Sequence, residues 1–250
     1  NTPPQDGKTE PNPTNQNPIP DSRFPTTVSP LSPPMQLLLL DTKRNRHSLN
    51  ALVGALETGP DLDPIELRLP ANESQLQQHL SEALSAGKQP IIGISFATPQ
   101  LWRIHELMRR LAPRPDGDTD RDLTNPSPAD VLAARQPHPL WIAGGPHPTA
   151  DPQGALRLGF DIVVRGEGEV SLLALLKTIA ARTDLAAVPG ITFRTPEVHP
   201  RSTGPAPPVE LDDFPPFPLR RRRVVGPIEI TRGCPFSCGY CQTPQLRGHR

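Results

Sequence analysis

The 250-residue sequence predicts an α/β fold: a doubly wound, five-stranded parallel sheet with helices on both faces. Three observations predict it. Apolar runs of strand length recur at 37–40, 65–69, 91–96, 140–143 and 161–164. Segments with apolar residues at helical spacing separate most of these runs. Polar or glycine-rich loops follow several of the strands, where a sheet of this kind places its ligand site.

Each element has its own signal. Leu37-Leu38-Leu39-Leu40 reads as a strand buried on both faces. Leu49, Leu52, Val53 and Leu56 follow at i, i+3, i+4 and i+7 on a helix closing near Gly59. A weaker strand around Ile65-Glu66-Leu67-Arg68-Leu69 leads to a helix capped by Asn72, with Gln75 at its third position. Leu76, Leu80 and Leu84 form its apolar face, and Gly87 is placed to end it. Ile91-Ile92-Gly93-Ile94-Ser95-Phe96 is the third strand, and the helix after it carries Leu101, Ile104, Met108 and Leu111. After a polar insertion over 114–139, Leu140-Trp141-Ile142-Ala143 and Asp161-Ile162-Val163-Val164 supply two more strands. A short helix at 153–158 lies between them and a longer one at 169–181 after them. Pro189-Gly190-Ile191-Thr192-Phe193-Arg194 reads as a last small strand.

Composition divides the chain. Lys plus Arg and Asp plus Glu each number 26, so no net field draws the protein to nucleic acid or an anionic membrane. Residues 1–34 hold ten prolines among Asn, Thr, Gln and Ser with no apolar periodicity, and are expected to be disordered. They carry no apolar signal-peptide core, and no stretch approaches the ~20 apolar residues of a membrane span, so a cytoplasmic protein is expected. Asn1 in place of Met reads as a fragment. Residues 35–194 form the α/β unit. Residues 195–227 are a linker, with eight prolines between Thr195 and Pro218 that favour an extended, semi-rigid chain. The run Arg220-Arg221-Arg222-Arg223 beside Asp212-Asp213 lacks interleaved aromatics and is expected to be a solvated hinge rather than a nucleic-acid patch. Residues 228–250 open a second unit with a strand at 228–232.

All three cysteines fall in that last segment, as Cys234-Pro-Phe-Ser-Cys238-Gly-Tyr-Cys241. Thiolates on one tight loop can converge on one metal centre, and three of them leave a coordination position open. Soft thiolates select an iron–sulfur cluster or zinc. Zinc would recruit His249 as a fourth ligand, although its usual arrangement is two separated ligand pairs. Structural disulfides fit poorly, since an odd count leaves one thiol over and near neighbours are hard to bridge.

The C-x3-C-x2-C loop after Ile228-Glu229-Ile230-Thr231-Arg232-Gly233 resembles the signature loop of the radical SAM superfamily. That resemblance implies a 4Fe-4S cluster on Cys234, Cys238 and Cys241, with S-adenosylmethionine on the open iron and a 5′-deoxyadenosyl radical as product of its reductive cleavage. It places Tyr240 near the adenine of the cofactor, implies an electron donor such as flavodoxin or ferredoxin, and makes 228–232 the opening strand of a partial TIM-type barrel. Only nine residues follow Cys241, so that barrel is incomplete here and the chain alone is expected to bind a cluster poorly and turn over nothing.

Upstream, the Gly144-Gly145-Pro146-His147 loop, the Gly159-Phe160-Asp161 strand entry and the Arg165-Gly166-Glu167-Gly168-Glu169 turn are similar to the Rossmann-like, cobalamin-binding domain of B12-dependent radical SAM proteins. On that resemblance Ser95, Thr98, Gly144 and Gly145 are the candidates for contacting cobalamin. The DxHxxG motif that supplies a cobalt ligand in the methionine-synthase type is absent, His47 stands at the wrong spacing, and His147 reads as a loop residue. Glu167 and Glu169 share a loop but are expected to be architectural, Glu169 at a helix start and Glu167 bonding amides of its own turn. The expected function is cobalamin-dependent methylation or another radical modification. The alternative is a non-catalytic nucleotide- or corrinoid-binding module with a zinc-stabilised tail.

Overall fold

The computed structural model describes residues 33–62, 65–112, 138–195, 199–221, 228–241 and 243–244. The 1–34 segment up to residue 32, most of the 114–139 insertion, Arg222, Arg223 and His249 lie outside the described residues.

The first strand sets the architecture. In β1 (Met35–Leu39) every leucine is buried, and their alternation divides the core in two. Leu37 and Leu39 join a cluster with Leu49, Val53 and Leu56 of α1 (Arg46–Leu56). Leu38 and Leu40 join another with Leu76 and Leu80 of α2 (Glu73–Ser85). A strand with apolar residues on both sides needs a helical layer on each. The remaining elements supply them. Ile104, Leu107 and Met108 of α3 (Leu101–Leu111) thicken the α2 layer, with Ala155 and Leu156 of the short helix α5 (Pro152–Arg157) beside them. Leu172, Leu175, Leu176 and Ile179 of α6 (Gly168–Ala181) pack with α1 on the opposite face. The short helix read at 153–158 is α5, and a further short helix, α4 (Pro146–Ala150), precedes it, each with proline in its first turn.

The five expected strands are present and parallel. With β2 (Glu66–Arg68), β3 (Gln89–Ser95), β4 (Leu140–Gly144) and β5 (Ile162–Val164), the order is β2-β1-β3-β4-β5. The sheet is larger than expected, however. Two antiparallel strands, β6 (Ile191–Phe193) and β7 (Arg201–Ser202), extend it to seven. After α6 the chain climbs back along the protein, burying Leu185 and Val188, and enters β6 from the carboxyl end of the sheet. The Arg165 N–H donates to Gly190 O at 2.8 Å to start that pairing. β7 lies within the proline-rich 195–227 segment, and its direction returns the chain to the same edge.

Asn72 caps α2 as the sequence indicates: its side chain accepts from Gln75 N at 3.0 Å, and Gln75 Oε1 accepts from Ala71 N at 2.9 Å. Leu84, expected on the apolar face, is exposed, and Ala83 is buried in its place. Residues 228–232 form no strand among the described residues, with Ile228 and Ile230 exposed. No helix among the described residues is long and apolar enough to cross a membrane.

Candidate functional site at the carboxyl edge of the sheet

The order β2-β1-β3 reverses direction at β1, so the crevice beyond β1 and β3 is where an open α/β sheet binds ligands. Asn45 closes that crevice from below. Its buried amide accepts from Thr42 N at 2.8 Å and Thr42 Oγ1 at 2.9 Å, and donates to Leu40 O at 2.9 Å and Ser95 O at 3.3 Å. One side chain thus ties the ends of both strands together. The sequence offered a weak sign of it, a polar residue at the entry of an apolar-faced helix.

Ser95, Thr98, Gly144 and Gly145 come together beside it. Ser95 is in register with Gly144 across β3 and β4, and the Phe96 N–H donates to Gly144 O at 3.0 Å. Gly145 has φ +95, and an added Cβ would lie 2.8 Å from Ser95 Oγ and 2.9 Å from Phe96 O. Only glycine permits both that turn and that approach. At Gly144, by contrast, an added Cβ meets no heavy atom within 4 Å, so open space lies directly over the strand end. Thr98 Oγ1 lies 3.1 Å from His147 Nδ1, and the His147 ring stands 5.5 Å from that of Phe96. A cradle with bare glycine backbone and hydroxyls at its rim suits a bulky ligand that carries polar appendages.

The next loop is joined to this one. Thr149 Oγ1 donates to Gly145 O at 2.8 Å and accepts from Gly166 N at 3.0 Å, linking the loops after β4 and β5. Arg165 extends the joint outward: its Nη2 donates to Ile191 O at 3.3 Å and Thr203 O at 2.5 Å, and burial pushes its pKa down.

Glu167 and Glu169 are bound into the architecture, as expected, and Glu167 reaches beyond its own turn. Glu167 makes no side-chain cap to α6; its Oε2 accepts from Val209 N at 2.7 Å, holding the proline-rich segment against the edge. Glu169 pairs with Arg232, whose Nη2 lies 2.6 Å from Glu169 Oε1 and 2.7 Å from Glu229 Oε2. Arg232 Nη1 stands 3.7 Å from Glu167 Oε1. Burial alone would disfavour the charged guanidinium, but the Glu169 and Glu229 carboxylates outweigh it and hold Arg232 protonated. A cavity of about 280 Å³ lies beside this cluster, lined by His47, Asn50, Glu169, Phe214, Glu229 and Arg232 among others.

The arginine run is not a solvated hinge where it is described. The Glu57 carboxylate at the end of α1 accepts the backbone N–H groups of Leu219, Arg220 and Arg221 at 2.8, 2.8 and 2.5 Å. Arg221 reaches on to Ile65 O at 3.0 Å and Leu62 O at 3.1 Å. Burial pushes the Glu57 carboxyl up, but the three N–H donors and the Arg220 charge outweigh it and hold it below the ordinary carboxylate value. Gly54 lets the segment close on α1, since an added Cβ there would lie 2.9 Å from Pro215 O.

Two residues beyond Arg232 the cysteine loop begins. Cys234 and Cys241 are half-buried, Cys238 is exposed, and none is in a disulfide. The Cys241 N–H donates to Cys238 O at 3.0 Å, closing a turn around the exposed Tyr240. Hydrogen bonds from the Thr243 side chain and backbone hold the Cys241 thiol below its ordinary pKa. Three free thiols on one loop are a donor set suited to a soft metal. Among the described residues no three side chains of His, Cys, Asp or Glu are drawn together in a metal-holding group, so the loop presents its thiols without gathering them.

No family model matches the chain. The anaerobic magnesium-protoporphyrin IX monomethyl ester cyclase of Synechocystis sp. (strain ATCC 27184 / PCC 6803 / Kazusa) is 31% identical over 128 residues, 44% of this chain and 24% of that protein. The cobalamin-dependent radical SAM methyltransferase TokK of Streptomyces tokunonensis is 31% identical over 131 residues, 45% of this chain and 19% of that protein. The chain is similar to cobalamin-dependent radical SAM methyltransferases. Solved structures give the same fold: the radical S-adenosylmethionine methyltransferase TsrM of Kitasatospora setae, with cobalamin and a 4Fe-4S cluster bound, superposes with a TM-score of 0.54 at 17% identity. That superposition covers 87% of this chain and 43% of TsrM. The cobalamin-dependent radical enzyme OxsB, with aqua-cobalamin and S-adenosylmethionine bound, superposes at 0.50 over 75% of this chain and 24% of its own, at 14% identity. The chain thus spans about a quarter of the cyclase and a fifth of TokK. These relatives are enzymes.

Proposed function

We propose that this chain carries the corrinoid-binding edge and the cluster loop of a cobalamin-dependent radical SAM enzyme of the methyltransferase type. One observation carries the reading: the glycine cradle and the cysteine loop belong to one bonded edge. Gly145 is joined through Thr149 to Gly166, the same turn presents Glu167 and Glu169, and Glu169 holds Arg232 two residues before Cys234. The reading is supported by that shared edge, since a reaction using a corrinoid and a cluster needs both groups on one side of the protein.

In this reading Ser95, Thr98, Gly144 and Gly145 bind the corrinoid at the open strand end, and Asn45 keeps the strand ends at fixed separation beneath it. Cys234, Cys238 and Cys241 would hold a 4Fe-4S cluster, and Tyr240 would help to hold the adenine of S-adenosylmethionine. Bound together, these groups supply an electron, a 5′-deoxyadenosyl radical and a transferable methyl group. The chain's own residues orient them and bring them near one another. A flavodoxin- or ferredoxin-type protein supplies the electron, and the substrate is a small molecule or peptide.

Anaerobic reconstitution of the 250-residue chain with iron and sulfide tests the metal site. The expected product is brown, with a broad absorption at the blue end of the visible range, lost when the three cysteines are changed to Ala. A colourless protein holding stoichiometric zinc would refute the cluster and favour the zinc-stabilised module. Incubation with hydroxocobalamin followed by desalting tests the cradle: a retained corrinoid spectrum is expected, and none on a folded protein would count against it.

A further inference from the structure

We infer that Arg232 is a positioning residue for the cysteine loop, a latch that holds residues 228–234 to the first turn of α6 and so keeps the thiols over the sheet edge. The inference deepens the proposed function and rests on it for the role of the thiols, but the latch itself rests on geometry.

Among the described residues neither strand pairing nor burial of large apolar side chains holds this segment in place. Residues 228–241 add no strand to the sheet. The large apolar side chains Ile228, Ile230, Phe236 and Tyr240 are exposed, so hydrophobic burial does not anchor the loop. Of residues 228–232, Arg232 is the one whose side chain is buried, to 8% exposure. There its fork engages carboxylates from two elements: Nη2 bridges Glu169 and Glu229, and Nε donates to Glu229 Oε2 at 2.8 Å. If the loop lifts, Glu169 stays in α6 and loses its Arg232 partner, and a buried charge left without its partner is strongly disfavoured. The contact therefore behaves as closed or open rather than gradually loosened. A lysine keeps the charge but lacks the planar fork that spans two carboxylates. The sheet does not need the contact, because α6 docks through Leu172, Leu175, Leu176 and Ile179 on its other side.

Trypsin provides the assay, since the bond after Arg232 is a cleavage site that the latch shields. The 250-residue chain is digested under native conditions, the fragment ending at residue 232 is quantified by mass spectrometry, and labelling of Cys234 by a small alkylating reagent is followed in parallel. In E169Q and in R232K, cleavage after position 232 should rise about tenfold or more, because native-state proteolysis follows the population of the open form. Cys234 labelling should rise with it, while the urea midpoint of the sheet stays near that of the unaltered chain. E229Q, which leaves Glu169 in place, should give a smaller rise. Cleavage and labelling within about twofold of the unaltered chain in both E169Q and R232K would overturn the inference. A rise that merely tracks general unfolding of the sheet would overturn it too, since Arg232 would then be a residue of overall stability. Iron uptake separates the layers: an unaltered chain that takes up no iron refutes the metal reading and leaves the latch standing. Iron uptake by a chain whose E169Q and R232K variants stay shielded refutes only the latch.

Discussion

Adjacent glycines at the mouth of the proposed corrinoid site make opposite demands, and changing each to Ala in turn separates them. In G145A the new side chain sits at φ +95, outside the region that L-residues adopt readily, at a cost of about 1–3 kcal/mol. Its Cβ would also lie 2.8 Å from Ser95 Oγ, 2.9 Å from Phe96 O and 3.0 Å from Phe96 N. Two of those three atoms are backbone at the end of β3, so relief requires moving a strand end, and overpacking of that kind costs about 1–3 kcal/mol. Together these predict a loss of about 2–6 kcal/mol, a large part of a typical domain's stability. In G144A the Cβ enters space with no heavy atom within 4 Å, and stability should change by no more than about 0.5 kcal/mol. Urea unfolding followed by circular dichroism measures both. Hydroxocobalamin retention should fall in G144A despite its unchanged stability, because the methyl group occupies the space assigned to the ligand. A G145A protein as stable as the unaltered chain would refute the strain argument. A G144A protein that loses about 2 kcal/mol would refute the open space above β4.

Further expectations concern the bonds that hold the edge together. In N45A, Leu40 O and Ser95 O lose their shared donor, which should cost about 2–4 kcal/mol in urea unfolding. N45D should fare no better, since it sets a carboxylate against the same two carbonyls; full stability in either would show that the amide does not join the strands. Below about pH 4.5, part of the protein's stability should be lost as Glu57 and Glu66 protonate. Their folded pKa values are depressed, Glu66 to about 2 chiefly by its bond from Lys88, so their contribution is complete above the unfolded value and disappears as pH falls through the folded one. E57Q should flatten the Glu57 part of that acid dependence in a pH series of urea midpoints, and an unchanged profile would exclude it. E57Q should also expose the 219–221 segment to trypsin more than it weakens the sheet, which digestion under native conditions will measure.

The parallel core was legible because its signal is local. Leu37-Leu38-Leu39-Leu40 is apolar on both faces, so the chain itself announces a strand between two helical layers, and the loops after Ser95 and Ala143 could be placed at one edge by the parallel rule alone. The antiparallel return was not legible to the same degree. Ile191–Phe193 is three residues long, and Arg201–Ser202 lies in a proline-rich stretch whose strand character comes entirely from its neighbour. Charged and amide side chains were harder still. The partners of Glu57, Glu167 and Arg232 lie far along the chain, and nothing in composition or spacing says which carboxylate will meet which N–H. The arginine run shows the consequence: read for its charge, it implied a solvated hinge, whereas Arg220 and Arg221 are held through their backbone N–H groups and three side-chain contacts to carbonyls.

The antiparallel pair β6 and β7 also decides what the sheet can do with its flanks. On one side the last strand is two exposed residues, Arg201 and Ser202. On the other, β2 is three residues whose Glu66 is engaged by Arg68 and by Lys88. Neither flank offers a long, flat row of unpaired backbone groups to a neighbouring chain. Self-association by strand addition is therefore disfavoured at both margins among the described residues, and exposed apolar side chains such as Ile230, Phe236, Tyr240 and Trp102 offer surface for meeting other protein.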